Sequence, residues 1–206
     1  MVERMRDIII GQAFIVLSEG RKIKSSVIGR KKVIEMYAVG GMFFDLLINN
    51  QIAFDEKNKI FVTDGRFNAN HDALNQLLRL INSKKPMTFK RWMRYLGVPS
   101  KKRRELYEKI TDNSKNNELY RERIVQRIRA ELLEPEQVTI EIITLSLLLK
   151  SSKLLKQYFS SYEGEQLEVR LKELEQSDNK RWKDIKTINK EIEFMDAIIL
   201  TSAVVI

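Results

Sequence analysis

The 206-residue chain carries a net charge of +9, 43% hydrophobic residues, three prolines, eight glycines and no cysteine. The lack of cysteine excludes disulfides and thiolate chemistry and suits a reducing cytosolic compartment. So few prolines and glycines argue for helices over a turn-rich β sandwich. The charge is uneven: residues 79–129 sum to +11, whereas residues 137–206 sum to −1. One part of the surface is therefore basic, and its partner is expected to be anionic.

Apolar residues at 5, 8, 9, 13, 16 and 17 predict a first helix, followed by a basic loop from Ser18 to Ser26 with a turn at Gly20. A second helix is expected over residues 27–49. It contains Gly40-Gly41-Met42-Phe43-Phe44-Asp45-Leu46-Leu47-Ile48, where Asp45 alone interrupts a run apolar enough to be buried almost all round. Each glycine costs about 1 kcal/mol relative to alanine inside a helix. A pair of them implies that another backbone, or a ligand, comes close.

Ile52/Phe54 and Ile60/Val62 alternate on either side of Asp55-Glu56-Lys57-Asn58-Lys59, which predicts a short hairpin. Asn70 is an expected N-cap for a helix carrying Ala73, Leu74, Leu77, Leu78 and Ile81. Pro86 breaks the chain before a short helix over residues 87–96, built on Phe89, Trp92, Met93 and Leu96. Further helices are expected over 101–110, 119–134, 145–159, 165–174 and 184–206. Residues 138–142 read equally as a strand or a helix start. The closing uncharged stretch from Ala197 is about half the roughly 20 residues that span a bilayer, and is expected to be a buried last helix. The fold class is mostly α: a multi-helix bundle with one or two short β-hairpins, forming a single domain over residues 1–206.

His71 is the sole histidine, and neither it nor the carboxylate pairs make a metal cluster. With no phosphate loop, nucleophile turn or Ser/Lys pair, no enzyme, metal or cofactor is expected. Trp92 reads as core from its helical spacing with Phe89 and Leu96. The run Lys101-Lys102-Arg103-Arg104 reads either as a solvated face or as an electrostatic docking patch. Arg121 lies three and four residues before Ile124 and Val125 and seven before Ile128. It therefore sits at one end of an apolar stripe and needs an anion, internal or external. Arg123 and Arg127 share a more exposed face.

Taken in order, the Gly40-Gly41 helix, the hairpin running to Asp64, Ala73-Leu74-Asn75-Gln76-Leu77-Leu78, Pro86 with Trp92 and Leu96, and Tyr120-Arg121-Glu122-Arg123-Ile124 resemble the Golgi phosphoprotein 3 family. The resemblance covers nearly the whole chain, mostly at apolar positions. It implies a mostly helical single domain that binds membranes peripherally; eukaryotic members recognise phosphatidylinositol 4-phosphate in a basic pocket and bind the tails of Golgi enzymes. That pocket uses a Trp and an Arg near the glycine-containing helix and two Arg residues on a later helix. Arg121 matches one of the later pair and Glu118 falls on the other, while Arg30 and Val39 fall on the Trp and the first Arg. The apolar hairpin that follows the later helix is shortened here, between Pro135 and Ile142, as in prokaryotic members.

The expected function is thus that of a peripheral protein at the cytosolic membrane face, binding anionic phospholipid or phosphoinositide headgroups. Arg121 is expected to contact phosphate over a floor at Gly40 and Gly41, with Arg30, Lys31 and Lys24 on the rim. Two alternatives stand beside it. One is a winged-helix-like nucleic-acid binder with Lys101–Arg104 on phosphates, disfavoured because the buried helix offers few base-reading side chains. The other is a protein-tail adaptor or homo-oligomeric scaffold.

Overall fold

A computed structural model describes residues 8–23, 30–65, 71–97, 101–112, 118–134, 137–176 and 181–203. Among them are nine helices: α1 (Ile10–Ser18), α2 (Arg30–Ile48), α3 (Asp72–Asn82), α4 (Phe89–Gly97), α5 (Lys101–Asp112), α6 (Glu118–Leu133), α7 (Ile140–Ser151), α8 (Ser161–Gln176) and α9 (Arg181–Ala203). A small antiparallel sheet completes the fold, with β1 (Ile52–Phe54), β2 (Lys59–Val62) and β3 (Met87–Thr88) in that order. The bundle is mostly α, as the composition and periodicity predict.

Helix α2 is the central element. All of its residues from Glu35 to Leu46 are buried, along with Val33, and α1, α3, α4, α5, α7 and α9 all pack on it. Its glycines explain how a second helix comes so close. A methyl group at Gly41 would lie 2.8 Å from the backbone N and Cα of Gly11 on α1, and one at Gly40 would meet the Met195 sulfur of α9. The helix backbones thus meet where no side chain fits between them. Farther along, Phe43 and Phe44 hold α4: Phe43 sits edge-on to Phe89 at 5.5 Å, and Phe44 stacks on the same ring. Trp92 is fully buried against Phe43, which makes it core.

The predicted hairpin forms with Ile52 opposite Val62 and Phe54 opposite Ile60. Asp55 closes its turn by accepting the amides of Lys57 and Lys59, each at 2.8 Å. The third strand departs from expectation. Met87 was assigned to a helix, but it pairs with Ile60 across the sheet edge. Thr88 then caps α4 by accepting the Arg91 amide at 3.3 Å. Residues 137–139 have no regular structure; Thr139 is extended and tied to Glu131 through both its amide and its hydroxyl, and α7 starts at Ile140. Ser160 and Glu163 exchange side-chain-to-amide hydrogen bonds and start α8 four residues before the predicted position. This is a capping box, legible as Ser-x-x-Glu. The predicted cap Asn70 lies outside the described residues, and His71 occupies the cap position without a side-chain bond.

Asp45 answers the question posed by its place in an apolar run. Ile9 offers no side-chain cap to α1, so the first amides of that helix need an acceptor. Asp45 supplies it from α2, accepting Ile10 N at 2.8 Å and Gly11 N at 3.2 Å. Burial pushes its carboxyl up to about 7 in spite of these two amides, with Glu141 adding a small upward push. An acid raised in the folded state contributes stability below its unfolded value, and that contribution is lost as pH rises through the folded one. The protein is therefore expected to lose roughly 2 kcal/mol between pH 5.5 and 7.5 from this group. Asp45→Asn should flatten that slope in urea titrations at matched pH; an unchanged slope would assign it to another group.

Candidate functional site

Helix α1 ends without a basic residue in its last turn, so its final carbonyls seek donors from elsewhere in the chain. Arg121 on α6 provides one, with Nε donating to Val16 O at 3.1 Å. Tyr158, just past a short 3-10 turn (Leu155–Gln157), provides another, its hydroxyl donating to Leu17 O at 2.6 Å. Arg21, one residue beyond the turn at Gly20, lays its guanidinium over the Tyr158 ring at 4.7 Å. Arg21, Arg121 and Tyr158 thus converge at the end of α1. They line a groove of about 690 Å³ together with Leu119, Arg123 and Arg127. Burial pushes the Tyr158 phenol up, against the opposing pull of Arg21 and Arg121.

Arg121 has found its anion within the chain: Nη2 lies 3.3 Å from Glu19 Oε2. Both side chains keep solvent access, at 24% and 38% exposure, so this pair is weak and exchangeable. Arg123 is exposed and has no partner among the described residues, whereas Arg127 is paired with Glu131 at 2.6 Å. Leu119 is 62% exposed at the groove edge. The arrangement offers two exchangeable guanidiniums, a phenol and an apolar lip, which together suit a phosphate joined to an apolar body.

The other expected site residues fall differently. Arg30 reaches the site indirectly, by donating to the Arg21 carbonyl. Lys31 is exposed and does not line the groove. Lys24 lies outside the described residues. Gly40 and Gly41 are not the floor of an anion pocket, since both are consumed in packing against Met195 and Gly11. Arg103, from the basic run on α5, is also not a docking residue, because it is buried against Glu35. Sequence reasoning missed Arg21, Glu19 and Tyr158 as site members. The donor-poor end of α1 was their one visible signal; Tyr158 lies too far along the chain for spacing to reveal it.

Two further cavities exist. One, of about 700 Å³, lies between β1, the end of α2, α7 and α9, and the other, of about 460 Å³, lies between α6 and α8. Among the described residues no cluster of His, Cys, Asp or Glu could hold a metal ion, and no helix is long and apolar enough to cross a membrane.

A mostly helical bundle with a buried glycine-containing central helix and a guanidinium-lined groove defines the class of fold. Within that class, the chain belongs to the Golgi phosphoprotein 3 family, whose model matches residues 24–187. The family is in general one of peripheral, phosphoinositide-associated Golgi membrane proteins. No curated protein matches the chain.

Proposed function

We propose that this protein is a non-catalytic peripheral membrane protein that takes an anionic phospholipid headgroup, of the phosphatidylinositol 4-phosphate kind, in the groove at the end of α1. The convergence of Arg21 and Arg121 beside Tyr158 supports this reading most directly. The headgroup phosphate replaces the Glu19 carboxylate on Arg121 and draws a second contact from Arg21, while Leu119 faces the acyl region. The protein acts from the cytosolic face. Each cation at an anionic surface is worth about 1 kcal/mol within a Debye length of about 8 Å, so attachment is reversible and weakened by salt.

Co-sedimentation with phosphatidylcholine vesicles, with and without phosphatidylinositol 4-phosphate, tests the proposal. Arg21→Ala combined with Arg121→Ala should lower phosphoinositide-dependent binding about twenty-five-fold, with circular dichroism confirming the fold. Binding equal to that of the unaltered protein would overturn the assignment of the groove.

A further inference from the structure

Between Asp72 and Glu105 the sequence has ten Lys or Arg residues and no acidic one. The fold buries only Arg103 of the α5 basic run and displays others on α4. The solvent face of that helix consists of Lys90, Arg91 and Arg94, all exposed and none in an ion pair among the described residues. Phe194 of α9, 38% exposed, lies beside it. The ammonium groups of Lys90 and Lys190 stand over its ring at 5.7 Å and 5.9 Å. Beyond Asp196 the sequence holds no further charge, so α9 passes from a lysine-bearing stretch into wholly uncharged turns.

We propose that the exposed face of α4 and the adjoining stretch of α9 around Lys190 and Phe194 form a second membrane contact, one that docks on an anionic bilayer surface without reading a particular headgroup. Cations arranged around an exposed aromatic ring, leading into an uncharged helical segment, are the composition of an interfacial membrane element. Lys90, Arg91, Arg94 and Lys190 meet headgroups, and Phe194 enters the apolar boundary. A bilayer is favoured over a nucleic acid because the sequence beyond Asp196 is uncharged and mostly apolar, where a polyanion would want charge.

This surface is separate from the groove. Helix α4 rests on Phe43 and Phe44, about 20 Å along α2 from Arg30, which adjoins the groove. The two sites can therefore be tested independently.

The chain lacks cysteine, so Phe194→Cys accepts a single environment-sensitive fluorophore, with Glu168→Cys, half-exposed on α8 and outside this surface, as control. Vesicles of phosphatidylcholine and phosphatidylserine, free of phosphoinositide, should shift the emission of the label at 194 to the blue and leave the label at 168 unchanged. Lys90→Glu, Arg91→Glu and Arg94→Glu together should weaken this response by more than about a hundredfold, whereas Arg21→Ala with Arg121→Ala should retain it. A silent label at 194 overturns the proposal even if the groove holds the protein on phosphoinositide vesicles. Binding of a single-stranded oligonucleotide through the same three cations, with no vesicle response, overturns it as well.

Discussion

Arg103→Ala should lower the stability of the folded protein by about 3–5 kcal/mol, read as the shift of its urea midpoint. The side chain is 5% exposed, and its Nε donates to Glu35 Oε2 at 2.8 Å. Its Nη1 donates to the carbonyls of Leu96 at 3.0 Å and Gly97 at 2.9 Å, at the C-terminal end of α4. Truncation would strand a buried Glu35 carboxylate on α2 and leave two carbonyls at the negative end of a helix without donors. Arg103→Lys keeps the charge but loses the fork that reaches α2 and α4 together, so it should recover only part of the loss. Replacing both partners, Glu35→Leu with Arg103→Met, should cost less than Arg103→Ala, because no charge is stranded although the two carbonyls still lose their donor. If Arg103→Ala unfolds at the same midpoint as the unaltered protein, the residue does not join these helices.

Gly41→Val should be nearly as damaging, at about 3 kcal/mol. The obstacle is the backbone of Gly11, 2.8 Å from the incoming Cβ, and a backbone cannot rotate aside as the tip of a side chain can. Alanine in place of glycine gains up to about 1 kcal/mol of helix propensity, but at this position the clash outweighs that gain. Gly164 on α8 supplies the contrast, since nothing lies within 4 Å of its added Cβ. Gly164→Ala should stabilise by roughly 0.5 kcal/mol. The same change at two helical positions is thus expected to have opposite signs in thermal melts; matching signs would remove close helix approach as the explanation.

These two residues show what was legible in the sequence. Wherever periodicity was long, the elements were readable: the buried central helix, the hairpin and the core role of Trp92 all follow from apolar spacing. Arg103 precedes Leu106 and Ile110 by three and seven residues, the same offset from an apolar stripe that singled out Arg121. The basic run around it hid that signal. The two-residue β3 was unreadable because its pairing partner sits in the preceding hairpin, and pairing carries no local pattern. The glycine pair correctly announced a close approach, but spacing alone does not say whether a backbone or a ligand arrives. For Arg121, the need for an anion was readable and the identity of Glu19 was not, because the two meet only when α6 crosses the end of α1.

The contact between Gly11 and Gly41 has a mechanical consequence. Helices usually slide past one another on a layer of side chains that can change rotamers, and here that layer is missing along part of α1 and α2. The two helices are therefore locked together at this contact, with the guanidinium groove near one end of α2 and the start of α4 seated on Phe43 and Phe44 farther along. On the two-contact proposal, engaging the first end raises the local concentration of membrane at the second. The strength of that gain depends on how well a fixed spacing of about 20 Å matches the shape of the surface beneath it.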